Sequence, residues 1–127
     1  MKSGKQVLLD SVILIDHFNG IHKATDYIKE VATISHISAI TRAEVLTGFK
    51  NPLHLQKARD LLDRFPLIVI DSSIADLAAE LRREYKWKLP DAIQAASARK
   101  NGLFFITRNV KDFPPDRFGF VRIPYKI

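Results

Sequence analysis

Cysteine is absent from this chain, which excludes a disulfide framework and any thiolate metal centre. That absence agrees with a reducing cytoplasm, the expected location. Also missing are the glycine-based phosphate cradles, Gly-x4-Gly-Lys and Gly-x-Gly-x-x-Gly, and the Gly-x-Ser-x-Gly turn that presents a nucleophilic serine. No apolar run is long enough for a membrane. The segment Met1 to Gln6 is short and polar, and the run after it is soon broken by Asp10 and Asp16, so neither a signal peptide nor a span is expected. His17, His22, His36 and His54 share no metal-ligand spacing.

What remains is an ordinary globular composition, 46% hydrophobic and 27% charged in 127 residues, which predicts one domain over 1–127. Lys and Arg number 20 against 14 Asp and Glu, a net charge of +6. Charge of this sign favours a polyanionic partner, because cations that neutralise phosphates release counterions. A solvated basic surface is the plainer explanation, and charge alone does not choose between them.

Short apolar runs alternate with helical periodicity, which predicts an α/β fold with a mostly parallel central sheet. The expected strands are Gln6–Leu9, Thr33–Ser38, Leu67–Ile70, Phe104–Thr107 and a weaker Phe120–Ile123. Nearly continuous apolar runs are what a sheet covered by helices on both faces requires. One helix follows Asp10 through Val12-Ile13-Leu14-Ile15. Another carries the stripe Ile74, Leu77, Ala78, Leu81, Tyr85, with Ser72 or Ser73 as its cap. A third opens near Pro52 and closes before Pro66. Pro90 suits the start of a fourth, with Gly102 just past its end. Thr41 and Glu44 fit a capping box opening a helix that runs to Gly48.

Four acids stand beside these apolar segments: Asp10, Glu44, Asp91 and Asp112. Each has a structural explanation by itself, as helix cap, half of a capping box, first-turn acid or turn former. Together they point elsewhere, because ligands of a parallel sheet collect outside the carboxyl ends of its strands. Two unit charges about 4 Å apart repel by roughly 4 kcal/mol at an effective dielectric of 20, so several such pairs call for a cation. All-oxygen ligands select Mg²⁺ or Mn²⁺ over zinc. The hydroxyls of Ser11, Thr41 and Thr107 adjoin the acids and are candidates to orient ligands or substrate.

The segments VLLDSVILID, ISAITRAEVLTGF, KLPDAIQAASA and FITRNVKDF resemble, in order and spacing, the four motif regions of PIN-domain nucleases, especially the toxin subunits of VapBC-type toxin–antitoxin pairs. The resemblance covers nearly the whole chain. It implies a three-layer α/β/α sandwich and an Mg²⁺- or Mn²⁺-dependent endoribonuclease. By position it assigns the first three acids to Asp10, Glu44 and Asp91. The fourth acidic position falls on Asn109, with Asp112 three residues on, so either residue is a candidate metal ligand there. The first motif usually reads Asp-Thr-Asn, whereas this chain has Asp10-Ser11-Val12 and lacks the amide that would steady the first acid. The partners implied are an RNA substrate, a VapB-like antitoxin and a second copy in a homodimer, with DNA reached only through the antitoxin.

Arg108 is the base best placed for a substrate phosphate, together with Ser11 and Thr107. In the run Arg82-Arg83-Glu84-Tyr85-Lys86-Trp87-Lys88, bases interleave with aromatics, as in single-strand RNA binders. Packed aromatics beneath solvated charges are the favoured reading of that run, with Trp87 and Leu89 candidates for a dimer contact. Two alternatives of other classes stand beside the nuclease: a decayed site on a nucleic-acid or protein-binding module, and a metal phosphatase for small molecules.

Overall fold

The computed structural model describes residues 5–127. Its sheet has the strand order β3-β2-β1-β4-β5, with β1 at Val7–Leu9, β2 at Ser35–Ser38, β3 at Leu67–Ile68, β4 at Phe104–Ile106 and β5 at Val121–Arg122. Every neighbouring pair is parallel. The helices are α1 Ser11–Phe18, α2 His22–Glu30, α3 Ala39–Thr47, α4 Pro52–Leu62, α5 Ser72–Tyr85 and α6 Leu89–Lys100. All five expected strands form, each trimmed to the residues that share ladder bonds. Residues 32–34 form a 3-10 turn that feeds β2 instead of extending it. Among the described residues, no helix is long and apolar enough to cross a membrane.

Strand alternation divides the core into two layers. Leu8 and Phe105 face α5 and α6, in a cluster with Trp87, Phe113, Phe118 and the alanines of α6. Val7, Leu9, Ile37 and Ile106 face the opposite way, against Ile13 and Leu14 of α1, Ile28 of α2, Val45 of α3 and Leu62 of α4. Helices therefore cover both faces, and the α/β/α sandwich is the observed architecture. Helix α6 is alanine-rich for a reason: Ala92, Ala95, Ala96 and Ala98 are all fully buried, and larger side chains would hold it off the sheet.

Several local expectations change. The N-cap of α5 is Asp71, whose carboxylate accepts from the Ile74 N–H at 2.9 Å, in place of Ser72 or Ser73. The N-cap of α3 is Ser38, which accepts from the Thr41 N–H at 3.2 Å. The expected Thr41–Glu44 capping box is therefore not formed. The last residue of β2 caps the helix directly, which draws Thr41 inside and leaves Glu44 on an exposed face. Helix α6 begins one residue before Pro90, and Gly102 follows its end at φ +64°, where a side chain would be strained. Helix α2 was not anticipated, because its apolar positions are few and its polar face is long.

Trp87 is 4% exposed and stacks on Tyr85 at 4.6 Å, with Phe113 at 4.4 Å and Phe118 at 5.2 Å. Its indole N–H donates to the Asp112 carbonyl at 3.0 Å. The aromatics of the 85–87 run thus pack inward as favoured. A dimer contact through Trp87 is ruled out by that burial; Leu89 remains exposed.

Candidate active site

Strand β1 is the switch point of the sheet: the chain leaves it for β2 on one side, and β4 lies on the other. Outside the carboxyl ends of such strands the connections diverge and open a crevice. Leu9 pairs with Ile106, so the next residues of the two strands, Asp10 and Thr107, emerge side by side there, and the Asp10 N–H donates to the Ile106 carbonyl at 2.9 Å.

Asp10 caps α1 and is held on both oxygens. Oδ1 accepts from the Ser11 N–H at 2.8 Å and the Ser11 hydroxyl at 3.5 Å, and Oδ2 accepts from the Thr107 hydroxyl at 2.7 Å. Thr107 in turn accepts from the Asn109 N–H at 3.1 Å. Ser11 and Thr107, expected to contact substrate, are thus both buried and both orient the first acid. Burial above all, and then the charges of Asp91 and Glu44, push the Asp10 carboxyl up to about 6 against the lowering effect of the Thr107 and Ser11 bonds.

Asp91, in the first turn of α6, links the remaining acids. Burial raises its carboxyl first, followed by the charges of Asp112 and Glu44, with Lys88 opposing. Asp91 is thus within electrostatic reach of Asp10, Glu44 and Asp112, as convergence at the strand ends requires. Asn109 and Asp112, the two candidates for the fourth position, are bonded to each other. The Asn109 amide nitrogen donates to the Asp112 carboxylate at 2.9 Å, and its oxygen accepts from the Asp112 N–H at 3.2 Å. Asn109 thus closes the 109–112 turn and holds the Asp112 carboxylate.

Three contributors were missed. Gln94 is 1% exposed and sits between the strand ends. Its amide nitrogen donates to the Thr41 hydroxyl at 2.6 Å and reaches Asp10 Oδ1 at 3.4 Å, while its oxygen accepts from the Ser38 hydroxyl at 2.7 Å. The amide absent at position 12 therefore comes from α6. A lone Gln inside Ala92-Ile93-Gln94-Ala95-Ala96 was the available signal, since buried glutamines are uncommon. Gln94→Leu takes the acceptor from the buried Ser38 hydroxyl, leaves the Thr41 hydroxyl only its bond to the Leu9 carbonyl and loosens Asp10, so we expect a stability loss of about 1–3 kcal/mol. Any catalytic rate should fall by roughly 10- to 100-fold, the usual effect of losing a ligand-orienting partner. Urea unfolding and initial rates check the two separately.

Asp16 and Tyr125 are the others. Asp16 is 3% exposed and takes a forked pair from Arg108, Nε to Oδ2 at 2.6 Å and an Nη to Oδ1 at 3.0 Å, with the Tyr125 hydroxyl on Oδ2 at 2.8 Å. Burial would raise the Asp16 carboxyl, but these bonds and the Arg108 charge outweigh it and hold it below the ordinary range. Arg108, expected to await a substrate phosphate, is instead committed to Asp16. Its sequence signal was an acid in the last turn of α1, where the helix dipole disfavours negative charge.

The donor set is all carboxylate and the first acid is buried with its charge opposed, which fits a hard divalent cation. Among the described residues, no three acids stand close enough to hold one ion as the side chains lie. Closing the set requires rotation, which exposed Glu44 is free to make.

The fold and crevice define a parallel α/β/α protein with an acid-lined switch point. The PIN domain profile matches residues 7–114, and the chain belongs to that family. PIN-domain toxins are nucleases, which places this chain among the hydrolases at that coarse level. It is 41% identical to a chain of a toxin-antitoxin complex from Klebsiella pneumoniae, with a TM-score of 0.89 over 96% of this chain and 100% of that one. FitAcB from Neisseria gonorrhoeae aligns at 21% identity and TM-score 0.77, over 96% of this chain and 100% of that one. VapBC2 from Rickettsia felis, bound to a DNA fragment from its promoter, aligns at 23% and 0.73, over 91% and 94%. The latter two show likeness of fold. No curated protein sequence matches.

Proposed function

We propose that residues 1–127 act as one Mg²⁺- or Mn²⁺-dependent endoribonuclease domain, the toxin of a toxin–antitoxin pair in the cytoplasm. The single observation that carries this reading is Asp10, buried at the switch point of the sheet beside Thr107, with the Asp91 and Glu44 charges opposing its own. When bound, the ion supplies Lewis acidity, polarising the phosphodiester and acidifying water. Asp10 and Asp91 are its main ligands. Asp10 is fixed in place by Ser11, Thr107 and Gln94, which holds its carboxylate at the strand end. In this reading Glu44 completes the set or takes the proton from the attacking water, and Asp112, held by Asn109, serves a second ion. The water oxygen adds to phosphorus as its proton is taken up, the ester bond to the 3′ oxygen breaks, and that oxygen leaves and takes a proton from solvent.

The 41% identical chain belongs to a toxin-antitoxin complex, which supports a small antitoxin as partner, with DNA approached only through it. A homodimer is proposed on the resemblance of the motifs alone.

Because the nucleophile is water and not the ribose 2′-hydroxyl, purified protein with Mn²⁺ should cut single-stranded RNA to 5′-phosphate and 3′-hydroxyl ends. EDTA should stop it, and a 2′-deoxy substitution at the scissile nucleotide should not. Cyclic phosphate ends, or undiminished cleavage in EDTA, would refute the mechanism. A decayed binding module has one observation in its favour, the spread of the acids as the side chains lie. It predicts RNA binding with no Mn²⁺-dependent cutting at all.

A further inference from the structure

The turn between α5 and α6 combines three features that the site does not use. Arg82, Arg83, Lys86 and Lys88 are all exposed within seven residues. Among the described residues the ion pairs are Arg42–Asp63 and Arg108–Asp16, so none of these four cations has a carboxylate within 4 Å. Arg82, Arg83 and Lys86 line a cleft of about 470 Å³ with Ala79 and Leu89, a size within the roughly 300–1,000 Å³ of ligand sites. Lys86 stands at φ 64°, ψ 24°, the left-handed conformation in which a helix end favours glycine. A lysine there is kept against backbone preference, and such outliers gather at functional positions.

The fold explains part of this cluster. Cations suit a helix C-terminus, and Arg82 bonds the Trp87 carbonyl, fixing the turn. Neither accounts for the cleft, or for a lysine rather than glycine in the left-handed conformation at position 86. The place matters too: Leu89 borders the cleft and lies two residues before Asp91, at most about 7.6 Å between α-carbons. The cleft and Asp91 are thus neighbours at the start of α6.

Resting on the nuclease reading above, we infer that the cleft of Arg82, Arg83 and Lys86 holds backbone phosphates of single-stranded RNA beside the scissile one. The buried aromatics beneath the turn make it rigid and leave no exposed ring for stacking except half-buried Tyr85, so recognition there is of charge and not of base. Contact through phosphates makes the binding salt-dependent and indifferent to sequence.

The test is binding of a labelled single-stranded RNA by the full chain in EDTA, at several salt concentrations, to wild type, Lys86→Gly and Lys86→Gly/Arg83→Gln. The double variant should bind at least fivefold more weakly at low salt. Its log–log salt slope should fall by about 1.4, or about 0.7 for each phosphate that is no longer neutralised. Thermal unfolding of Lys86→Gly should show an unchanged or higher Tm, because glycine relieves the turn; Lys86→Gln serves as a second charge-removing variant without the change in backbone freedom. Wild-type affinity and slope in the double variant would overturn the proposal. So would equal losses toward RNA and poly-glutamate, which would mark a surface for acidic proteins. Wild-type RNA that is bound but not cut with Mn²⁺ would sink the nuclease reading and leave this one standing.

Discussion

Asp10→Asn should abolish RNA cleavage and at the same time make the metal-free protein more stable at neutral pH. The opposing signs come from one cause. Burial, with the Asp91 and Glu44 charges, raises the Asp10 carboxyl from 3.8 to about 6 in the folded protein. A raised acid pKa means that the folded state holds its proton more tightly than the unfolded chain. The Asp10 contribution to stability is therefore greatest below about pH 4, falls between there and about pH 6, and above that is lower by up to about 3 kcal/mol. The amide keeps the shape and carries no charge; its oxygen still accepts from the Ser11 N–H and its nitrogen donates to a Thr107 hydroxyl turned to accept, so it recovers most of that loss. We expect a Tm higher by roughly 10 °C at pH 7.5, shrinking toward zero near pH 4. Adding Mn²⁺ should raise the Tm of wild type and leave that of Asp10→Asn nearly unmoved, because ligand binding stabilises only a state that binds it. A variant that unfolds earlier than wild type at pH 7.5, or one that still gains from Mn²⁺, would contradict the charge-opposed site.

The same residue shows what could be read from the chain in advance. Strand positions and the parallel sheet followed from apolar runs, because burial of a run is a property of residue type; the side chains of Asp10, Glu44 and Asp91 do not close into one ligand set as they lie. Caps were harder. Thr41 and Ser38 are both good N-caps, and only the end of β2 at Ser38 decides between them. Gln94 was out of reach for a related reason: its three partners, Ser38, Thr41 and Asp10, lie 56, 53 and 84 residues away. Arg108 was misjudged because a lone arginine beside a motif looks free until its partner is known, and that partner, Asp16, is 92 residues distant. Periodicity reports which face of an element is buried; it does not report which polar groups meet across the core.

Breaking the Asp16–Arg108 pair should cost more than its partly exposed position suggests. Asp16 is almost wholly enclosed, so Arg108→Met leaves a carboxylate with only the Tyr125 hydroxyl, at a cost of about 3–5 kcal/mol. Asp16→Ala leaves the guanidinium able to turn toward water, since the Arg108 side chain is 28% exposed, and should cost less, about 2 kcal/mol. The double variant, Asp16→Ala/Arg108→Met, removes both charges and should be more stable than Arg108→Met alone, which urea unfolding at pH 7 can decide. Activity should follow a different order. Arg108 anchors the segment from Thr107 to Asp112 on α1, and that segment orients both Asp10, through Thr107, and Asp112, through Asn109. All three variants release it, so all three should lose cleavage by a similar factor, including the double variant that has recovered stability. A double variant that regains both stability and rate would reduce the pair to a fold element. Stability regained without rate would establish it as the clamp that positions two of the four acids.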